Sequence, residues 1–166
     1  MVDLVSVESD ELASLHEAAS PEMRRALGLS CERVGGALVS IASRAPVSAI
    51  VVNRAVGLGA SVPAAREDVR AVIGRYRDAG VSRFFVHLEH DAAPEALRGW
   101  LEEEGLERAR GWMKFERGTE PPPERPTELQ VVAASPEHMA AFGRIVAAAF
   151  DLGDAAGRIR SGEGGT

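Results

Sequence analysis

The stretch VVNRAVGLGASVPAAREDVRAVIGRYRDAGVSRFFV, residues 51–86, decides the fold. Apolar runs stand at both of its ends, and a glycine-containing loop follows the first run. Between the loop and the second run, apolar side chains recur at the spacing of one helix face, at Val69, Val72, Ile73 and Tyr76. The pattern predicts a strand–loop–helix–strand unit, with Pro63 in the first helical turn and Gly80 at the helix end. The loop before such a helix is a place where a cofactor phosphate can bind.

Three further helices are predicted in the first two thirds of the chain from apolar spacing and from capping residues. They are a helix over about residues 9–19 that begins at Ser9 or Asp10, a short helix from Pro21 to Leu27, and a helix that begins at Pro94, buries Leu97, Trp100 and Leu101 and ends at Gly105.

Strands are predicted beside these helices at residues 33–42, 47–56, 83–88 and 106–116. The Gly35-Gly36 pair in the first strand indicates a bulge or a close approach of the backbone. In the last strand Met113 and Phe115 share one face. The expected fold class is therefore α/β, with a mixed sheet and helices on both faces, over residues 1–116.

A change of composition follows this domain. Residues 117–128, RGTEPPPERPTE, contain a triple proline and no large apolar side chain, which predicts an extended linker. A strand is predicted at 129–133, and Ser135-Pro136 begins a predicted helix, so that residues 129–150 look like the strand–helix start of a second, incomplete domain. The glycine-rich tail, residues 151–166, is predicted to be disordered.

Composition narrows the function classes. The net charge of -6 disfavours nucleic-acid binding, because arginines alternate with acidic residues and form no basic stripe. The single cysteine, Cys31, excludes an internal disulfide and suits a reducing cytoplasm. We expect neither a secretory signal nor a membrane span. Arginine supplies almost all the cationic side chains, which indicates a GC-rich bacterial genome.

The chain resembles the N-terminal half of tandem proteins of the GNAT (N-acetyltransferase) superfamily. Three blocks carry the resemblance: Asn53-Arg54-Ala55-Val56-Gly57-Leu58-Gly59, then Arg83-Phe84-Phe85-Val86, then Gly105-Leu106 with Gly111-Trp112-Met113-Lys114-Phe115. The resemblance implies a GNAT fold, acetyl-CoA as cofactor and acyl transfer to an amine. It also implies that acetyl-CoA lies between two splayed parallel strands, with its pyrophosphate on backbone N–H groups at the start of the following helix.

The family motif Arg/Gln-x-x-Gly-x-Gly/Ala fits Arg54, Gly57 and Gly59 letter for letter. However, the helix is not expected to begin before Pro63, and Glu67 and Asp68 stand in its first turn, where they repel a diphosphate. The same acids stabilise an unoccupied helix start. We therefore expect the loop not to bind a cofactor, and the chain to be the non-catalytic half, inactive alone. A pairing module that forms a homodimer or binds a missing second GNAT domain, or a small-molecule binder, remain the alternatives.

Other residues with potential chemistry were weighed against structural roles. The polar cluster His87, Glu89, His90 and Asp91 is interpreted as a strand end with Asp91 capping the next helix, with a metal site and a substrate-cleft role for His87 as alternatives. Core packing is expected for Tyr76, Trp100 and Trp112, a buried or inert thiol for Cys31, and surface or interfacial positions for His16 and His138. Base stacking by the tryptophans is disfavoured by the acidic charge. The sequence assigns no catalytic residue, no cofactor-binding residue and no metal ligand.

Overall fold

The computed structural model describes residues 3–89, 93–109, 111–121, 123 and 126–149. The chain divides into two compact units, Met1–Gly111 and Trp112–Thr166. The first unit is a mixed α/β structure built from α1 (Leu4–Ala18), α2 (Pro21–Leu27), β1 (Leu29–Val34), β2 (Ala37–Ala42), a 3-10 helix (Val47–Val52), β3 (Arg54–Val56), α3 (Arg66–Asp78), β4 (Phe85–His87) and α4 (Glu95–Glu103).

A four-stranded mixed sheet organises the first unit, in the order β1-β2-β3-β4. The first two pairings are antiparallel, whereas β3 and β4 run parallel and are joined through α3. A parallel pair needs such a crossover, because its strands cannot be joined by a tight turn. The strand–loop–helix–strand unit predicted over residues 51–86 is therefore confirmed.

Helices pack on both faces of the sheet, because successive strand residues point to opposite sides. Leu38 and Val56 contact Leu12 of α1. Their sequence neighbours Val39 and Ala55 belong to the larger core instead, which contains the four predicted apolar residues of α3 together with Leu97 and Leu101 of α4. Each of the four α3 residues is at most 1% exposed, so the predicted stripe of α3 is confirmed.

Two strands replace the single strand predicted over residues 33–42. Val34 pairs with Ala37, and the two residues between them, Gly35 and Gly36, have φ values of 55° and 82°. Two consecutive positive φ values are those of the two-residue hairpin turn that glycines favour. The prediction of one strand with a bulge is wrong, but the expected close backbone approach exists: a Cβ on Gly35 would lie 2.6 Å from the Cβ of Asp68.

The apolar run 47–56 is also divided differently from the prediction. Val47–Val52 form a 3-10 helix and only Arg54–Val56 form a strand. A short β-branched apolar run does not by itself separate a buried helical turn from a strand. Between the two elements, the Asn53 side-chain oxygen accepts a hydrogen bond from the Ala42 backbone N–H at 2.7 Å.

Two predicted helix starts are wrong. Helix α1 begins at Leu4, because the Asp3 carboxylate accepts hydrogen bonds from the N–H groups of Val5 and Ser6, both at 3.1 Å. Helix α3 begins at Arg66, so Pro63 lies before the helix and outside its first turn. The predicted helix at Pro94 is confirmed, with Pro94 as its capping residue.

The strands predicted at 106–116 and 129–133 do not form in the described residues of those segments. In the second unit, a 3-10 turn (Pro136–His138) leads into helix α5 (Met139–Ala149), which confirms the predicted helix after Ser135. Residues 151–166 lie outside the described residues, so the predicted disorder of the tail stays a prediction. No helix in the described part of the chain is long and apolar enough to cross a membrane.

Candidate functional site

The loop that carries the GNAT-like motif is filled by the protein's own side chains. Gly57 and Gly59 have φ values of 88° and 75°. A Cβ on Gly57 would lie 3.2 Å from Val5, and one on Gly59 would lie 2.9 Å from Leu97. Leu58, between them, is 3% exposed and belongs to the large core. Both glycines are thus required by backbone conformation and close packing, whether or not a ligand binds.

The start of α3 is occupied by a carboxylate of its own first turn. Asp68 Oδ2 accepts a hydrogen bond from the Ala65 backbone N–H at 2.8 Å, and the Asp68 N–H donates to the Ala65 carbonyl at 3.1 Å. The turn at Gly35 packs against the same Asp68 side chain. The helix end that would hold a pyrophosphate therefore contains an anion already, and the β1–β2 turn lies over it.

Arg54, the first residue of the motif, points to the α1 face of the sheet. It is 9% exposed, and its Nε lies 3.7 Å from Glu8 Oε1. The same carboxylate oxygen lies 2.9 Å from Nδ1 of His87. This polar cluster of Glu8, Arg54 and His87 joins α1 to the parallel strands β3 and β4, where His87 pairs with Val56 in the strand register.

The polar cluster is held together by one carboxylate oxygen of Glu8. An ionised carboxylate can only accept, so His87 Nδ1 donates to this oxygen. The side chains of Glu8, Arg54 and His87 are between 11% and 17% exposed, so the cluster is largely shielded from water. His87 is the last residue of β4, whereas Arg54 is the first residue of β3, so Glu8 connects the carboxyl end of one parallel strand to the amino end of the other. His87 ends β4, as the strand-end interpretation predicts, and a substrate-cleft role for it stays a prediction.

A second buried pair lies on the same face of the sheet. His16 of α1 places Nε2 at 2.7 Å from Ser40 Oγ, and Ser40 Oγ donates to the Val52 carbonyl at 2.7 Å. His16 is 5% exposed and Ser40 is fully buried. The surface or interfacial position predicted for His16 is wrong. Ser40 is also the cross-strand partner of Arg54, so the two groups are neighbours beneath α1.

The remaining sequence candidates have mostly structural roles. Tyr76 is fully buried, stacks on Phe84 and donates from its hydroxyl to the Ser40 carbonyl at 3.2 Å, which confirms core packing. Burial raises the pKa of the Cys31 thiol, in agreement with the predicted inert thiol. Trp100 packs against the core as predicted, with the Arg66 guanidinium 5.8 Å from its ring centroid.

Trp112 is 41% exposed, so its predicted core position is wrong. His138 is exposed as predicted, and its Nδ1 accepts from the Ser135 backbone N–H at 3.1 Å. His90 and Asp91 of the predicted polar cluster lie outside the described residues, and the α4 cap is Pro94. Across the described ranges, no three histidine, cysteine or acidic side chains come together as a metal site would require.

Sequence reasoning missed Glu8 and Ser40. A signal for Glu8 was present, because it stands four residues before Leu12 and eight before His16, on one helix face. The signal was lost because the helix was predicted to begin at Ser9 or Asp10. Ser40 gave no signal of its own, since a serine in an apolar strand becomes recognisable only when its partner His16 is brought to it.

No protein-family model matches this chain, and comparison with curated proteins and with solved structures finds no significant match in either case.

Proposed function

We propose that this chain is a GNAT-like domain of the non-catalytic kind, whose acyl-CoA loop is not used and which supports acyl transfer to an amine only together with a catalytic partner domain. The GNAT resemblance supplies the expected activity. The sheet is compatible with it, because one parallel pair, β3 and β4, is joined through the motif-bearing loop and α3. The observation that carries the non-catalytic part is the Asp68 carboxylate at the start of α3.

The electrostatics at this helix start oppose a pyrophosphate. Glu67 and Asp68 both stand in the first turn, and Asp68 already uses the Ala65 N–H. A diphosphate at the same position would lie against at least one carboxylate, and each close like-charge contact costs on the order of 1 kcal/mol or more at intermediate dielectric. Asp68 would also have to leave its hydrogen bond and its contact with Gly35.

Arg54 is likewise engaged away from the loop. Its guanidinium lies beneath α1 with Glu8, on the opposite side of the sheet from the core that contains α3. The residues of the motif are therefore present, but Arg54 pairs with Glu8 and the start of α3 is bonded to Asp68.

Titration calorimetry with acetyl-CoA tests this proposal. We expect no heat of binding at micromolar protein for the wild type, and a weak gain for Asp68→Asn, which removes the negative charge and keeps the size. Arg70→Gln is a control on the same helix, because Arg70 bonds to Glu104, the residue that caps the end of α4. Micromolar binding by the wild type, retained in the Arg70→Gln control, would overturn the proposal. Light scattering on the same samples distinguishes the pairing module, which would be dimeric.

A second function is favoured by the polar cluster. Glu8 contacts Arg54 and His87 in a largely shielded polar cluster that reaches the carboxyl end of β4, which suits a small-molecule binder that recognises a hydrogen-bond donor such as a primary amine. A thermal-shift screen of primary amines on the wild type and on His87→Gln tests this function. A shift in the wild type alone supports it, and equal responses of both proteins contradict it.

A further inference from the structure

Helix α1 contacts the sheet through a stripe that is polar at both ends. Glu8, Leu12 and His16 stand at intervals of four residues on one helix face. Leu12 packs between Leu38 and Val56, whereas Glu8 and His16 each make a polar contact with a strand. The attachment of α1 therefore depends on the protonation state of its polar ends as well as on apolar burial.

The hydrogen bonds of Ser40 determine the tautomer of His16. The single hydroxyl proton of Ser40 is donated to the Val52 carbonyl, so Ser40 Oγ must accept from His16 Nε2. The Nε2–H tautomer leaves Nδ1 with its lone pair, and this atom is buried with no hydrogen-bond partner in the described part of the chain. A second proton on this ring would sit on a buried atom that has no acceptor among the described residues.

The surroundings of His16 do not compensate such a charge. Burial lowers the pKa of His16, and the positive charge of Arg24 on α2 lowers it further. The sheet face under α1 also carries the Cys31 thiol, Ser40 and Arg54; the Tyr76 hydroxyl bonds to the Ser40 carbonyl, and the Glu17 carboxylate of α1 acts on Cys31. Cys31 is an uncharged thiol, because burial raises its pKa, and Arg54 is a cation.

We propose that α1 is an acid-sensitive cover of the polar cluster: protonation of His16 detaches the helix from the sheet and uncovers His87. Glu8 lies on the same helix, so it leaves His87 and Arg54 when α1 is released. This device is independent of the proposed acyltransferase-related function, because it concerns only how α1 is held to the sheet.

The direction of the pH effect follows from the lowered pKa. Well above pH 6.5, the ordinary pKa of histidine, His16 is neutral both in the docked helix and in the released helix, and docking is at full strength. As the pH falls below 6.5, the released helix binds a proton that the docked helix does not, so docking weakens. The weakening ends once the pH is below the lowered pKa of the docked state.

Native-state hydrogen exchange tests the proposal, with amides of α1 compared with those of Val72 and Ile73 in α3. After correction for the intrinsic rate, we expect the opening constant of α1 to rise by up to about tenfold per pH unit below 6.5, because one proton is taken up. The α3 amides should change less. The variant His16→Gln should lose this slope, since glutamine can donate to Ser40 and does not titrate. A pH-independent α1, an equal slope in α3, or the same slope in His16→Gln would each overturn the proposal.

A measurement on the wild type remains decisive if His16→Gln does not fold. The imidazole nitrogen shifts of His16 should report the Nε2–H tautomer and a titration midpoint below the ordinary histidine pKa of 6.5. The opposite tautomer, or a midpoint at or above 6.5, would contradict the mechanism.

Discussion

The imidazole of His87 is hydrogen-bonded to the carboxylate of Glu8, 79 residues earlier in the chain, at 2.9 Å. Because Arg54 shares the same carboxylate oxygen, one side chain of α1 holds a residue from each of the two parallel strands. Glu8 is thus the residue through which α1 organises the candidate site.

Replacement of Glu8 by alanine should therefore destabilise the protein by about 1–3 kcal/mol, since a largely buried arginine and a histidine lose a charged partner. Glu11→Ala is the matched control, because Glu11 is an exposed glutamate of the same helix and the change in helix propensity is identical. Urea unfolding of both variants measures the difference. Equal losses would show that Glu8 contributes nothing beyond helix propensity.

The leucines of α1 provide a second matched pair. Leu12 is 2% exposed between the helix and the sheet, whereas Leu15 is 59% exposed. Leu12→Ala should lower the free energy of unfolding by about 2–5 kcal/mol through lost burial and a cavity, and Leu15→Ala should leave it nearly unchanged. Chemical denaturation measures both, and a large effect of Leu15→Ala would mean that the outer face of α1 is covered in solution.

Alanine substitutions at the two glycines of the β1–β2 turn distinguish the cost of backbone strain from the cost of close packing. Alanine at either position adopts a left-handed backbone, at a cost of roughly 1–2 kcal/mol. At Gly35 the new Cβ also meets Asp68, which adds about 1–3 kcal/mol, while at Gly36 it meets open space. The midpoint of thermal unfolding should therefore be lower for Gly35→Ala than for Gly36→Ala. The reverse order would contradict the close packing of Gly35 against Asp68 at the start of α3.

Substitutions of Tyr76 measure the contribution of its buried hydrogen bond to the Ser40 carbonyl. Tyr76→Phe keeps the ring stacked on Phe84 and removes only the bond to the Ser40 carbonyl, so we expect a loss of about 0.5–1.5 kcal/mol with an unchanged near-ultraviolet circular dichroism spectrum. Tyr76→Ala should cost about 3–5 kcal/mol because the ring is lost as well. Similar losses in both variants would mean that the ring contributes little.

The reactivity of the Cys31 thiol should depend on pH differently in the folded and unfolded protein. Burial raises the pKa of its thiol, so the reactive thiolate is scarcer in the folded protein than in the unfolded chain at the same pH. The rate of alkylation by iodoacetamide at pH 8 should be lower in buffer than in urea, and its midpoint in folded protein should lie above that of the unfolded protein. A faster reaction in the folded state would indicate an activated thiol.

The elements that could be predicted are those whose own sequence repeats apolar residues at a regular spacing. Helix α3 was predicted because four apolar residues repeat at helical spacing, and all four are buried. The strands predicted at 106–116 and 129–133 do not form where the structure describes those segments. A strand is a property of a pair, because its hydrogen bonds and half of its contacts come from a neighbour that the segment's own sequence does not specify.

The candidate site was predicted only in part for the same reason. His87 and Arg54 were singled out from their own motifs, but for separate reasons and without the carboxylate that connects them. That carboxylate comes from the first turns of α1, which the predicted helix start excluded. His16 and Ser40 are 24 residues apart in the sequence, and their hydrogen bond depends on the packing of a helix on a strand.

The tight turn at Gly35 and Gly36 has a kinetic consequence. It makes β1–β2, with six residue pairs, the most local ladder of the sheet, and such hairpins form within about 1–10 μs. The parallel ladder of β3 and β4 has three pairs and can close only around the whole of α3, at a greater loss of chain entropy. The hairpin should therefore be an early folding nucleus, and closure of the parallel pair should limit the folding rate of the first unit.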